Sequence, residues 1–328
     1  MNVLLLEASC AYVFLWYYCW QYLYNNYIVF LWFLIRMKLD IVVWNMNEWV
    51  DLSRVLETLQ RQQDASTHEM LFMLTAVDRY NLRSKQVDCF EEISHWLNMS
   101  KNFYVHEFNE LSTTLPWWCR WAWKWWWSQW NAIHTTLQDI TYTELDIPHT
   151  KRMQRDGSTV IPEKIEPRTW SHKAQRISFD HNWVPYSFTH GHLAFWRSSE
   201  RDRDEQFDAL CSWLSEDELL NAFIWWDMNS FWRLSSLRSK RLYYAMWTLD
   251  PAARHRMVYA WRKYRLSDPH VQWWDDQIHT IQKIFGLIRA KTDWWFFGRD
   301  INSRVTDHNV LTDTWSDHAF LKYTVDLG

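Results

Sequence analysis

The sequence predicts an α/β fold, because short apolar runs typical of buried strands alternate with segments whose apolar residues recur at helical spacing. The first run, DIVVW at Asp40–Trp44, is β-branched, and Leu52, Val55, Leu56 and Leu59 then follow along one helix face. The chain has 328 residues, of which 48% are hydrophobic, so it can bury a large core. This composition excludes a disordered or collagen-like protein.

The second apolar run, MLFML at Met70–Leu74, has two interpretations. It is either a buried strand or the start of a helix capped by Ser66 and Glu69, and periodicity does not decide over so short a run. The other predicted elements are helices at Val87–Leu97 and Phe207–Leu214 and strands at Trp183–Thr189, Asn221–Trp226, Trp294–Phe297 and Leu321–Val325.

A helical insert is predicted at about 230–291 within a domain covering residues 37–328. Asp250-Pro251 and Asp268-Pro269 each place Pro just inside a helix start, with a capping Asp before it. Residues Arg233–Arg265 contain nine Lys and Arg and one Asp, a net charge of +8. This segment is either a solvated helix face or a surface that contacts phosphate.

Residues 1–36 form an apolar leader with two interpretations. Ala8–Ile35 carry no charge over 28 positions, and two basic residues follow closely. A bilayer span needs about 20 residues, so this segment is long enough for a membrane anchor, which would place the domain on the cytoplasmic side. Three amides near its middle favour a buried or appended extension instead: Gln21, Asn25 and Asn26. It has no basic n-region or small-residue cleavage site of a secretory signal.

Charge and cysteine content argue against two further classes: proteins that attract nucleic acid through their overall charge, and proteins held together by disulfides. The net charge of −4 and pI of about 6.4 give no overall attraction to nucleic acid, so any contact with a polyanion must be local. The five cysteines are odd in number and have no spacing suited to zinc, which predicts reduced thiols.

Glycine is scarce and tryptophan abundant. The chain has 5 Gly and 28 Trp, whereas the usual 7% Gly would give roughly 23. Eight Trp fall within Trp117–Trp130, interleaved with Arg120 and Lys124, which is typical of a membrane-interface peptide or a stacking surface for single-stranded nucleic acid. A third hypothesis, that Trp stands where an ancestor had Gly, explains the excess and the deficit together. It predicts strained turns, because Gly positions often need φ > 0.

Polar residues recur at the ends of the predicted strands. Taken singly, such residues usually lie on the surface or have a structural role, but α/β folds assemble their sites from polar groups at strand ends. They are Asn45 and Asn47, His190 and His192, Asp227 and Asn229, Asp293, and Asp317 and His318.

In this order, the segments resemble the endonuclease/exonuclease/phosphatase superfamily of metal-dependent phosphodiesterases. The matching motifs are a first strand ending in WN (Met37–Asn47), an HL element (His192-Leu193) followed by Arg201, Arg203 and Gln206, a GDxN-like segment (Trp226–Asn229), a late strand (Thr292–Phe296) and a terminal SDH (Ser316–His318). The resemblance covers Met37–Gly328. It implies a four-layer sandwich of two packed mixed β-sheets flanked by helices, and it favours the strand interpretation of Met70–Leu74.

The resemblance implies a monomeric hydrolase that uses Mg²⁺ or Mn²⁺ to cleave a phosphodiester or phosphoester in nucleic acid, phospholipid or a small molecule. The implied catalytic residues are Asp227, Asn229, His318, Asp293 and His192, and the implied metal-site residues are Asn45, Asn47 and Asp317. Asp227 would deprotonate the attacking water. His318, oriented by Asp293, would stabilise developing charge or carry a proton, and His192 would contact the phosphate or the leaving group.

The sequence also departs from the family pattern. Thr75-Ala76 stands in place of a Gln-Glu pair, so an acidic metal ligand is missing unless Asp78 partly substitutes. Trp226 replaces the Gly before the catalytic Asp, and a GNAIL element reads WNAIH from Trp130. Three functions therefore stay open: a hydrolase with impaired activity, an inactive relative that acts as a binding module, and a Trp-rich membrane-active protein.

Overall fold

The computed structural model describes residues 17–18, 21–22, 37–46, 51–80, 85–109, 128–147, 152–153, 159–160, 169–170, 173–192, 200–227, 262–266, 281–283, 288–290, 293–311, 318 and 320–328. In this part of the chain the elements are, in order, β1 Lys38–Asn45, α1 Leu52–Asp64, β2 Glu69–Arg79, α2 Cys89–Leu97, β3 Lys101–Asn109, β4 Ser128–Thr135, β5 Thr141–Asp146, β6 Arg152–Met153, β7 Thr159–Val160, β8 Thr169–Trp170, β9 Lys173–His181, β10 Val184–His192, α3 Glu200–Cys211, α4 Glu216–Leu220, β11 Ala222–Asp227, β12 Ile281–Lys283, β13 Ile288–Ala290, β14 Asp293–Phe297, α5 Arg299–Asn302, β15 Val305–Leu311 and β16 Phe320–Asp326.

The larger sheet has seven strands in the order β15-β16-β1-β2-β4-β3-β8. β1 lies near its centre, antiparallel to β16, with Val43 opposite Leu321, and parallel to β2, with Asn45 opposite Thr75. Parallel neighbours need a crossover connection, which α1 provides. The side chain of Asp51 caps α1 by accepting a hydrogen bond from the backbone N–H of Ser53 at 3.2 Å.

The smaller sheet has five strands in the order β14-β11-β10-β9-β5. β10 and β11 are parallel, and α3 and α4 lie between them in the chain, while β9 and β14 pair antiparallel with β10 and β11 respectively. Both large sheets therefore mix parallel and antiparallel pairs, as predicted.

Three apolar clusters lie between the four layers of the molecule. The inner cluster lies between the sheets and contains Ile41 and Tyr323 of the larger sheet together with Phe188, Phe223 and Trp295 of the smaller one. A second cluster packs α1 and α2 on the outer face of the larger sheet, and a third packs α3 on the outer face of the smaller sheet. The four-layer sandwich predicted from the sequence is confirmed.

A buried carboxylate ties β1 to β16 and to the start of β2. Asp40 accepts hydrogen bonds from Lys322 Nζ at 2.8 Å, Thr324 Oγ1 at 2.6 Å and Ser66 Oγ at 2.7 Å, and it lies 3.2 Å from His68 Nδ1. Burial raises the pKa of this carboxyl, but the four partners outweigh burial and hold it below its ordinary value. Ser66 caps no helix, because the strand β2 begins at Glu69.

Most predicted elements are confirmed, and the choice of a strand at Met70–Leu74 is among them, since these residues lie inside β2. The two later helices and the four later strands also form, as α2, α3, β10, β11, β14 and β16. The prediction missed the strands β3 to β9 and β15 and the short helices α4 and α5.

Apart from residues 17–18 and 21–22, the leader lies outside the described residues, and so does most of the insert. No helix in the described part of the chain combines the length and the apolar character needed to cross a membrane. The predicted helical insert is wrong at 281–283 and 288–290, where β12 and β13 pair antiparallel with Lys283 opposite Ile288. β-Branched Ile begins each strand, and Gly286 lies between them in the sequence, which is typical of a hairpin.

Trp183 lies in a turn that favours glycine. It follows Asn182 in the two-residue connection between β9 and β10, where His181 pairs with Val184. Asn182 has φ 51° and Trp183 has φ 64°, and this pair of positive angles usually selects Asn-Gly. The Trp183 side chain is 100% exposed, so packing does not offset the strain. At this position the hypothesis that Trp replaces Gly agrees with the backbone.

We expect Trp183→Gly to raise the free energy of unfolding by about 1–2 kcal/mol, the cost of a left-handed conformation for a residue with a Cβ. Urea denaturation measures the change. Trp183→Ala removes the same ring but keeps the Cβ, so it is the matched control and should gain much less. Equal gains from both variants would assign the effect to the ring instead of the backbone.

Candidate active site

The two large sheets are aligned so that β1 and β10 begin at the same end of the sandwich. Near the start of β10, the Tyr186 hydroxyl donates a hydrogen bond to the carbonyl oxygen of Leu327 at 3.0 Å. The Leu327 N–H in turn donates to the carbonyl oxygen of Met37, just before β1, at 2.8 Å. Farther along, the ring of Tyr323, opposite Ile41, packs on Phe223 with centroids 6.0 Å apart. The parallel strands β1, β2, β10 and β11 thus end together, at what we call the carboxyl end.

Three of the predicted catalytic residues align in one row at the carboxyl end. His192, the last residue of β10, is in register with Asp227, the last residue of β11, and Asp227 is in register with Asp293, the first residue of β14. Two positions earlier in register lie Trp225 and Trp295, which belong to the inner cluster. The backbone therefore brings together residues that are up to 101 positions apart in the sequence.

The larger sheet contributes Asn45 and His318 to the same end. Asn45 is the buried last residue of β1, opposite Thr75 of β2. His318 is also buried and lies two residues before β16, which begins beside the end of β1 because these strands are antiparallel. Both residues thus lie at the carboxyl end of the sandwich.

A β-bulge interrupts β2 at the position of the missing glutamate. The register between β2 and β4 shifts between Leu74 and Val77, and Ala76 has φ 57°. The extra residue changes which side chains alternate between the two faces of the sheet. Thr75 continues the inner face, whereas Val77 packs in the second cluster, on the outer face of the larger sheet. Asp78, which is buried, therefore returns to the inner face. It reaches that face through the bulge, because plain alternation from Ala76 would not place it there.

Asn131 of β4 and Thr75 of β2 have buried polar atoms without a hydrogen-bond partner among the described residues. Asn131 is completely buried opposite the bulge, on the same face as Ile133 of the inner cluster. Within the described part of the chain, neither its Oδ1 nor its Nδ2 makes a hydrogen bond, nor does Thr75 Oγ1. Such a group costs about 1–3 kcal/mol when left unsatisfied, so a ligand or water is expected there.

His190 presents a second buried acceptor, from the facing sheet. Gln175 donates its amide N–H to Tyr142 at 3.1 Å, so Gln175 Oε1 accepts from His190 Nε2 at 2.8 Å. His190 Nδ1 is then an unprotonated acceptor with no partner among the described residues. The ring stacks on Trp225, and burial lowers the pKa of His190 to about 3, which keeps it neutral at physiological pH.

Part of the predicted site lies outside the described residues, namely Asn47, Asn229 and Asp317. For His192, Asp227 and Asp293 the structure describes the backbone. It shows that these three residues are in register on neighbouring strands.

Sequence reasoning gave no role to Thr75, Asn131 or Gln175, and it named His190 only as one of the polar residues at strand ends. The WNAIH segment contained a signal for Asn131, because Asn in an otherwise apolar strand is a polar group that burial makes costly. Nothing local indicated Thr75, since its importance comes from the bulge beside it.

The described residues suit a hard cation only through a mixed set of oxygen ligands. Within the described ranges, no group of three or more His, Cys, Asp or Glu side chains could hold a metal ion. The inner face at the carboxyl end instead offers the amide oxygens of Asn45 and Asn131, the hydroxyl of Thr75 and the carboxylate of Asp78. Amide, hydroxyl and carboxylate oxygens are the ligands that Mg²⁺ accepts, so the donor set fits.

Solved structures with the same fold belong to the endonuclease/exonuclease/phosphatase family. A protein of this family from Leptotrichia buccalis matches with a TM-score of 0.54 and 10% identity over 88% of this chain and 100% of its own. AP endonuclease LMAP from Leishmania major gives 0.54 and 11% over 89% of each chain. The human Nocturnin catalytic domain with bound sulfate gives 0.51 and 11% over 89% and 96%.

No family model matches the sequence, and no curated protein matches it significantly. The structural comparisons therefore establish the fold: this chain has the endonuclease/exonuclease/phosphatase fold. The solved structures that match with this fold include an AP endonuclease.

Proposed function

We propose that this protein is a metal-dependent hydrolase of phosphodiesters or phosphoesters, with activity reduced by Ala76 and Trp226. The observation that supports this most strongly is the in-register row of His192, Asp227 and Asp293 at the carboxyl end. The buried Asn45 lies at the end of the sandwich where that row also lies. A carboxylate, a histidine and an amide at one strand edge supply a base, a proton carrier and a phosphate contact.

In the proposed reaction, Asp227 accepts a proton from water, and the water oxygen attacks phosphorus. The bond from phosphorus to the leaving oxygen breaks, and His318, oriented by Asp293, donates a proton to that oxygen. Asn45 and Asn229 hold the phosphate, and His192 stabilises the charge on its oxygens. A bound Mg²⁺ or Mn²⁺ would neutralise phosphate charge and lower the pKa of the attacking water. Asn45, Asn47 and Asp317 are the residues proposed to hold it.

Position 76 is proposed to be the main reason for weak activity. Ala76 has no ligand atom, and its φ of 57° is one that Glu tolerates no worse than Ala does. We expect Ala76→Glu with Trp226→Gly to raise Mg²⁺-dependent hydrolysis of bis(p-nitrophenyl) phosphate by at least about 10–100-fold, the range caused by losing even an outer partner of a metal site.

The control for this experiment is Asp227→Asn in the doubly substituted chain, which should return hydrolysis to the background rate. The double variant without Mg²⁺ should behave in the same way. If the double variant folds and gains no activity, the proposed site is wrong.

A non-catalytic binding module is the second candidate, and the absence of a carboxylate at Ala76 favours it. Titration of the unmodified chain with Mg²⁺ separates the two functions. A hydrolase should be stabilised against thermal unfolding by the ion, because a ligand that binds only the folded state raises its stability. A module that binds a phosphorylated partner without metal should show no such shift.

A further inference from the structure

We propose that a divalent cation binds on the inner face of β2 and β4, beside the bulge, through oxygens of Thr75, Asp78 and Asn131. This site would replace the carboxylate that is missing at position 76. The inference rests on the proposed function and deepens it, because it names different residues for the cation.

The three side chains occupy one patch of the sheet. Asn131 lies between two paired positions, Leu74 opposite Ala132 and Val77 opposite Trp130, so it faces the two bulge residues across the strand pair. Thr75 continues the inner face of β2 up to the bulge, and Asp78 returns to that face after it. The bulge thus places a hydroxyl and a carboxylate on either side of the Asn131 amide.

The polar atoms in this patch need a partner. Asn131 and Thr75 are fully buried, and three of their polar atoms have no hydrogen-bond partner in the described ranges. Native interiors rarely leave such atoms unpaired, and several on adjacent strands indicate a bound group. An apolar filler would leave all three unsatisfied, so the bound group must be polar.

The chemistry of the donors favours a small hard cation. Thr75 Oγ1 and Asn131 Oδ1 are neutral oxygens, and the buried Asp78 adds the negative charge that a divalent ion requires. Asn131 Nδ2 cannot bind a cation, but it can donate to a phosphate oxygen bound to the same ion. Asn131 would then contact cation and substrate through its two amide atoms, which explains why neither atom has a hydrogen-bond partner among the described residues.

The test measures Mn²⁺ binding directly, by the loss of the EPR signal of the free ion. The unmodified chain should bind Mn²⁺ saturably, and Asp78→Asn should weaken binding about 10-fold or more. Asn131→Leu, of similar volume, should also weaken it about 10-fold while raising the Tm of the metal-free protein, because it removes the unsatisfied amide. Thr75→Val is a second variant with nearly unchanged shape.

Asn221→Leu is the matched control. Asn221 is also buried with an unpaired Oδ1 in the described ranges, but it precedes β11, at the opposite end of that strand. The Asn221→Leu substitution should leave Mn²⁺ binding unchanged. Absence of binding to the unmodified chain at millimolar Mn²⁺, or full binding by folded Asp78→Asn or Asn131→Leu, would overturn the site.

These outcomes are separable from the proposed hydrolase function. If Ala76→Glu with Trp226→Gly hydrolyses the phosphodiester while Asp78→Asn binds Mn²⁺ normally, the hydrolase stands and the cation site falls. If Mn²⁺ binding depends on Asp78 and no variant hydrolyses, the cation site stands and the hydrolase falls.

Discussion

Gly298→Ala is expected to lower the free energy of unfolding by about 3 kcal/mol or more, since backbone overlap exceeds the usual cost of overpacking. Gly298 joins β14 to α5, and its N–H donates to the carbonyl oxygen of Ala222 at 2.8 Å. A Cβ on Gly298 would overlap the carbonyl oxygens of Leu219 and Leu220 at the end of α4. These are backbone atoms held by the helix, so they cannot move aside as a flexible side chain would.

Urea denaturation of the variant measures this loss. Gly328→Ala is the control, because a Cβ there would meet only the Arg304 guanidinium at 3.7 Å, and the cost should stay near that of a positive φ, about 1–2 kcal/mol, since φ is 95° at Gly328. A Gly298→Ala protein as stable as the control would mean that α4 and β14 are packed less closely than described.

The second large effect is a steep loss of stability in mild acid. Burial lowers the pKa of both His134 and His190 to about 3, against an ordinary value of 6.5 in the unfolded chain. The contribution of these two neutral histidines to the free energy of unfolding is complete above pH 6.5. It is lost as the pH falls toward 3, because only the unfolded chain then binds the two protons. The free energy of unfolding should fall by about 1.4 kcal/mol per pH unit for each histidine, or about 2.7 for both.

Urea denaturation between pH 7 and pH 4.5, a window chosen around these pKa values, measures the slope. His134→Gln should remove about half of it, whatever its effect on stability at pH 7. Asp40 does not interfere, because its pKa is lowered in the folded protein, so its stabilisation is present throughout this window and is lost only as the pH falls below about 3.8. A slope unchanged by His134→Gln would show that this ring is protonated in the folded protein.

Local signals in the sequence were sufficient for β1, α1 and α2. A β-branched run such as Asp40–Trp44 and an apolar stripe such as Val55, Leu56 and Leu59 specify an element through neighbouring residues alone. The order of the motifs also predicted the fold, through the resemblance to the endonuclease/exonuclease/phosphatase superfamily that these motifs carry.

The missed strands lack such a local signal. β5, TYTELD, has one fully buried residue, Leu145, and it gains its strand structure by pairing with β9. β4 begins inside the Trp-rich segment, where Trp130 hides the alternation that places Asn131 and Ile133 on the inner face. Context of this kind overrides local propensity in sheets.

The sequence by itself determined the α/β class, the motif order and the residues proposed for chemistry, since each depends on residue type and spacing along one chain. Only the tertiary structure decided that His192, Asp227 and Asp293 share a row, and that the bulge at Ala76 brings Asp78 to the face of Thr75 and Asn131. Register between strands far apart in the chain, and one inserted residue that changes their alternation, follow from how the two sheets pair and pack.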